Sequence, residues 1–346
     1  MKVALCFIIS YEHILNKEEI WKSWIEPNKD IINVYFYYKD INKIKSQWIM
    51  NHTIPPEYIY ETSYFHVIPA YLSILSFAVN HDTSNQWFCL LTDSCCPIVS
   101  PRRFRYLFFN YYNKTLLSWK KAWWNVQYHK RANLQHLPSE LHLGNDPWFV
   151  MKRENVLQTM HFVKTQQPIV KTICDGGLAN ESLFAIIMCA CKQLGHNGLE
   201  HNGLGHNGLG HNGLEHNGFE HNGFSSVISA VTHLTDWSRM SSFTSPHTFK
   251  DANNADIKFI DTELEKNKFA LFIRKIAPEF PDDVLRNYIY KKNKLRDDAL
   301  VIITPPLFIY LKIKYYLGYL SYLYYFGLYG VPLLAVWLYI RFFHLI

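Results

Sequence analysis

The chain opens on a continuous apolar run, Val3-Ala-Leu-Cys-Phe-Ile-Ile9, with one lysine before it and Tyr11-Glu-His13 after it. Seven residues are too few for a spanning helix or a secretory leader, and they fit a strand that begins a sheet. Residues 16–25 carry Ile20, Trp21 and Trp24 at helical spacing, and Asn33-Val-Tyr-Phe-Tyr-Tyr-Lys39 is the next strand. Strand, helix, strand in that order predicts an α/β domain with a parallel sheet. The pattern continues with a short strand over 58–60 and a helix over 67–79, apolar at 71, 74, 75 and 78. A buried strand follows over 87–91, ending in Thr92-Asp-Ser94, and then a helix over 102–112. In open α/β sheets ligands bind beyond the carboxyl ends of strands, which makes Asp93 a candidate ligand contact. A turn or helix-capping Asp-Ser pair accounts for it equally well.

Two stretches break this pattern. In residues 195–224, His-Asn-Gly-Leu or His-Asn-Gly-Phe returns every five residues with Gly or Glu between. Asn-Gly pairs do not sustain a helix, and one apolar residue per repeat builds no core, so the stretch reads as an expansion in a tolerant surface loop. Its six evenly spaced histidines are a candidate for binding a transition metal. From Pro306 the chain becomes apolar and tyrosine-rich, and residues 319–340 carry no charge. That length crosses a hydrocarbon core of about 30 Å, with tyrosines and Trp337 suited to the interfacial belts. A pair of buried amphipathic helices is the competing reading. The expected organisation is a catalytic domain over 1–194 and 225–300, the repeat insert over 195–224, and a single-pass C-terminal membrane anchor over 306–346. With no leader ahead of it and Lys312 and Lys314 before the span, the body is expected to face the cytosol.

Charge and cysteine content narrow the partners. The net charge of +6 is mild, and the basic residues are scattered apart from short clusters at 101–105, 129–131 and 291–296. Nucleic-acid binders concentrate such charge on one face, so no nucleic-acid partner is expected. The cysteines at 6, 89, 95, 96, 174, 189 and 191 have no zinc spacing, and their odd number favours packed thiols over a disulfide framework.

Chemistry concentrates in two segments. In Cys174-Asp-Gly-Gly-Leu-Ala-Asn-Glu181-Ser-Leu-Phe, a lone acid opens an otherwise apolar helix. Such a carboxylate is either an ordinary N-terminal acid stabilised by the helix dipole or a base. In Phe269-Ala-Leu-Phe-Ile-Arg274-Lys275-Ile, an apolar strand is broken by two adjacent cations that point to opposite faces, so one is turned inward and calls for an anion. The alternative is simply the solvent end of a strand. Asn180-Glu-Ser182 is also a glycosylation sequon, whose use would crowd Glu181.

Taken in order, several segments resemble the core 2/I-branching β-1,6-N-acetylglucosaminyltransferases and peptide O-xylosyltransferases. They are the opening strand, Phe88-Cys-Leu-Leu-Thr-Asp-Ser-Cys-Cys-Pro97, Gly144-Asn-Asp-Pro-Trp148-Phe, Asn180-Glu181-Ser-Leu-Phe, Leu234-Thr-Asp-Trp237, and Leu271-Phe-Ile-Arg274-Lys275-Ile. The resemblance implies a variant GT-A fold in a single α/β catalytic domain. It also implies an inverting glycosyltransferase that needs no metal or other cofactor, consistent with the absence of any Asp-x-Asp. The donor implied is a UDP-sugar, N-acetylglucosamine or xylose, and the acceptor a glycan or glycoprotein hydroxyl. Glu181 maps to the catalytic base and Lys275 to the diphosphate-binding lysine, with Arg274 beside it. Asp93 falls near the nucleotide, and Trp237 where an aromatic residue lines the acceptor pocket. The family's second diphosphate cation has no clear counterpart; Arg239, Lys250 and Lys258 are the candidates. That gap, with the repeat expansion, motivates an alternative: a degenerate transferase fold kept as a membrane-bound binding or scaffold protein.

Overall fold

The computed structural model describes residues 1–9, 12–194, 226–242, 245–292 and 297. The opening apolar run is strand β1 (Lys2–Ile8), and α1 (Glu18–Ile25) follows, burying Ile20, Trp21 and Trp24. β2 (Ile32–Tyr37) pairs in parallel with one edge of β1, from Val3 against Ile32 to Ile8 against Tyr37. After a one-turn helix α2 (Gln47–Met50) and the long α3 (Ile68–His81), the chain returns as β3 (Asn85–Thr92), parallel to the other edge of β1. The strand expected over 58–60 does not form: residue 58 closes a 3-10 turn, Pro56–Tyr58, and residues 59–60 belong to no strand. Pro56 has no N–H to give a sheet, and Tyr58 N donates back to Pro55 O at 3.0 Å.

The chain then runs through β4 (Cys96–Pro97) and α4 (Pro101–Tyr111). Ser100 caps α4, its Oγ accepting from Arg103 N at 3.0 Å, and Pro101 occupies the first helical position, where a missing N–H costs nothing. β5 (Thr115–Leu116), β6 (Trp119–Lys121), β7 (Leu143–Asn145) and β8 (Val150–Lys152) lead to α5 (Arg153–Thr165), α6 (Gln167–Asp175) and α7 (Leu183–Ala190). Beyond the repeats come β9 (Val227–Ile228), β10 (His233–Thr235), α8 (Asn254–Lys266), β11 (Phe272–Arg274) and α9 (Asp282–Tyr290).

Six strands form the central sheet in the order β2-β1-β3-β8-β5-β9. It is mixed, not wholly parallel as the opening pattern predicts, because β8 runs antiparallel to β3 and β5. A parallel return needs a crossover, usually a helix, and the chain between β5 and β8 holds two short strands and 3-10 turns but no α-helix. A smaller sheet, β10-β11-β4, is also mixed, and β6 and β7 form a separate antiparallel pair.

The pleat of β1 divides the core in two. Val3, Leu5 and Phe7 face one cluster with Trp21, Trp24, Phe36, Phe104 and Phe272. Ala4 and Cys6 face the other with Tyr71, Ile74, Leu75, Phe149 and Phe184. A strand whose alternate residues meet apolar layers on both sides has to be apolar throughout, which is why its sequence shows no alternation.

The repeat insert lies outside the described residues, yet its flanks meet: Ser226 Oγ hydrogen-bonds to Gln193 Oε1, and Ser226 O accepts from Thr115 N at 2.9 Å, leading into β9 against β5. The chain divides into two units, Met1–Leu300 and Val301–Ile346. The anchor expected over 306–346 lies outside the described residues. Among the described residues no helix is long and apolar enough to cross a membrane.

Candidate active site

Glu181 ends a short 3-10 turn, Ala179–Glu181, immediately before α7. The turn is anchored on three sides. Leu178 N donates to Phe65 O, and Ala132 N donates to Gly177 O, both at 2.9 Å. Buried Asn145 donates from Nδ2 to Asn180 O at 2.9 Å and accepts at Oδ1 from Ala185 N at 3.1 Å, joining the turn to the first turn of α7. Gly176 is required by close approach: a Cβ there would lie 2.4 Å from Asn133 N. Leu178 takes a left-handed φ of 58° to reverse the chain. Asn180 is itself buried, so the sequon is packed inside the site.

The Glu181 side chain is 17% exposed, and Arg131 Nη1 lies 3.4 Å from its Oε2. Burial pushes its pKa above the ordinary carboxylate value; Asp146 adds to this, while Arg131 and Arg274 oppose it. Desolvation is the larger influence, so the carboxylate is a stronger base than a solvated glutamate while remaining attracted to two guanidinium groups.

The second group of residues sits where β3 and β11 end. Ile276 N donates to Ser94 O, Asn16 N donates to Asp93 O, and Asn16 Nδ2 donates to Ile276 O, each at 2.9 Å. These bonds stitch the end of the central sheet to the end of the smaller one. Of the paired cations, Arg274 is the inward one, 7% exposed, with its guanidinium 4.7 Å from the Trp148 ring. Its Nε has no hydrogen-bond partner among the described residues. Lys275 is half-buried, and its Nζ donates to Ser245 Oγ at 3.1 Å. Burial and the Arg274 charge hold its pKa below the usual lysine value, against the pull of Asp93. His233 on β10 is buried, and burial with the Arg274 charge pushes its pKa well down, which keeps it neutral.

The fold thus links Glu181, Arg274, Lys275 and Asp93 through mutual electrostatics. The other candidates differ in their surroundings. Trp237 is 42% exposed and lies two residues beyond Thr235, which pairs with Arg274. Arg239 is tied to two buried carboxylates, its Nε donating to Asp236 at 2.6 Å and its Nη1 to Asp256 at 2.8 Å. His247 also meets Asp256, at 2.9 Å. Lys250 and Lys258 are exposed. Arg131, Asn145 and Asp146 were not singled out from the sequence as site residues. The only sequence trace of Arg131 is the small basic cluster at 129–131. A cleft of about 610 Å³ along the outer edge of β2, lined by Tyr35, Trp48, His52 and Phe77 among others, shares none of these site residues.

The arrangement pairs a desolvated carboxylate with cations able to hold an anion, at the carboxyl ends of strands in a mixed α/β domain. No curated protein matches the chain. The family model of the Core-2/I-Branching enzyme matches residues 29–262, a span that includes Asp93, Arg131, Glu181 and Trp237 and ends before Arg274 and Lys275. This chain therefore belongs to the Core-2/I-Branching enzyme family of glycosyltransferases.

Proposed function

We propose that the chain transfers a sugar, N-acetylglucosamine or xylose, from a UDP donor to a hydroxyl of a glycan or protein, by a single inverting displacement that needs no metal. The observation that carries this reading is the desolvated Glu181 carboxylate held between the charges of Arg131 and Arg274. Its raised proton affinity suits it to take the acceptor hydroxyl's proton as that oxygen attacks the anomeric carbon. The bond to UDP breaks as the new one forms, and the diphosphate leaves with additional negative charge. Lys275 and Arg274 neutralise that charge, the role a metal ion has in other transferases. An anion beside Lys275 offsets the burial that lowers its pKa.

Calorimetry with UDP tests the donor half. The wild-type chain binds UDP, and Lys275→Ala weakens binding about 10- to 100-fold, the loss expected for one charge-assisted contact. Turnover is unchanged by EDTA; a strict metal requirement would overturn the mechanism. Failure of the folded wild-type chain to bind UDP would instead support a degenerate transferase fold serving as a binding scaffold.

A further inference from the structure

β2 ends the six-stranded sheet, with β1 on one side of it and no strand on the other among the described residues. Its main-chain groups alternate between the two sides. Ile31 O accepts from Val3 N at 2.7 Å and Tyr37 O accepts from Ile9 N at 3.1 Å, so the odd-numbered residues face β1. Ile32, Val34 and Phe36 therefore turn their N–H and C=O groups outward. Phe36 is satisfied there by the chain itself: its N donates to His52 O at 2.9 Å and its O accepts from Ile54 N at 3.0 Å, a parallel bridge centred on Thr53. The line stops at that point because the chain before it is wound into α2, where His52 N and Asn51 N donate back to Ile49 O and Gln47 O. Ile32 and Val34 are buried residues whose outward main-chain groups have no backbone partner among the described residues. An edge left in this state is a template for another strand.

The cleft of about 610 Å³ runs along this edge, and Ile32 and Val34 are in its lining. α1 shares one core cluster with Ile32 and Val34, and α3 shares the other with Tyr35, so the edge is recessed between helical layers on the two faces of the sheet. Ile25 and Trp48 line the cleft from the first layer, Phe77 and His81 from the second. Its lysines are already paired, Lys22 with Glu18 and Lys29 with Glu26, each at 2.5 Å, so charge does not select the occupant.

We infer that the recessed edge at Ile32–Val34 is a docking groove for an extended peptide segment of a partner protein, which adds to the central sheet as one further strand. The groups to be satisfied are main-chain donors and acceptors two residues apart, the spacing that a strand's own backbone matches. Residues 52–54 already fill the next place in the same line with backbone. A second copy of this chain does not fit, because its β2 is sunk between the same two layers, and two recessed edges cannot approach to the strand spacing of about 4.8 Å. The segment places apolar side chains against Trp48 and Phe77. The groove follows the first half of β2, whereas the sites assigned to donor and base lie beyond the carboxyl ends of strands, so docking leaves them open.

The test selects binders to the full-length chain from a library of random peptides and measures their dissociation constants for wild type and Val34→Pro. Proline removes the outward N–H and is tolerated on an edge strand whose N–H points away from the sheet. The expected result is binding to wild type and about tenfold or weaker binding to Val34→Pro at an unchanged melting temperature, the scale of one lost main-chain hydrogen bond. Hydrogen exchange on wild type supplies a readout that stands even where the variant fails to fold: the Val34 amide exchanges readily in the free chain and is protected by bound peptide. Absence of any binder at about 100 μM overturns the groove. So do binders that leave Val34 exchange unchanged, or that hold a folded Val34→Pro chain as tightly as wild type. A concentration-dependent dimer of wild type that Val34→Pro abolishes assigns the edge to a second copy and overturns it as well.

Discussion

Replacing Glu181 by glutamine keeps the shape of the side chain and removes its charge. General bases contribute about 10²- to 10⁴-fold, so the variant should lose about 3–5 kcal/mol of transition-state stabilisation. Stability should move the other way. Burial raises the Glu181 pKa, so the folded state holds the ionised carboxylate at a cost at neutral pH. As pH falls through the raised pKa the folded protein takes up the proton first, and the cost disappears by the pH at which an unfolded glutamate also protonates. Glutamine removes the same cost. Against that gain stands the lost attraction to Arg131, whose Nη1 lies 3.4 Å from the carboxylate. Desolvation is the larger influence on this carboxylate, so the gain wins. Glu181→Gln should melt at or up to a few degrees above wild type at pH 7.5, and the difference should vanish near pH 4. Turnover is followed by UDP release with donor and acceptor present, and melting by differential scanning calorimetry at both pH values. Turnover within about threefold of wild type would refute the assignment of the base. A large drop in melting temperature at pH 7.5 would refute the electrostatic reasoning.

Other perturbations address the surroundings. Arg131 holds the Glu181 pKa down against burial, so Arg131→Gln should move the acid limb of the kcat/KM profile to higher pH while leaving UDP affinity unchanged; an unmoved limb would separate Arg131 from the base. Asn145→Ala leaves Asn180 O and Ala185 N without their buried partner and should cost about 2 kcal/mol or more, read as a fall of several degrees in melting temperature. Wild-type melting of that variant would show that the Glu181 turn is held by other means. Deleting residues 306–346 should release the chain from the membrane fraction of expressing cells if the tail anchors it, and unchanged fractionation would count against an anchor there.

The opening strands and helices are legible in the sequence because they are local. Trp21 and Trp24 define a helix face at one-turn spacing, and the apolar run of β1 announces layers on both sides of a strand. Glu181 and Lys275 were found by a different route, as charges intruding on apolar segments whose order resembles a family. The spacing of Arg274 and Lys275 requires that one turn inward, but not which; β11 ends at Arg274, so that residue keeps the strand's buried direction while Lys275 leaves it. Tertiary structure alone decided the rest. Arg131 reaches Glu181 because Ala132 bonds to Gly177, and Arg239 spends two of its guanidinium nitrogens on Asp236 and Asp256, the latter on another element. The reversed direction of β8 likewise depends on how the excursion between β5 and β8 closes. Periodicity records which way each residue faces within its own element. The partners of a charge are set by how distant loops meet, and no repeat along the chain encodes that meeting.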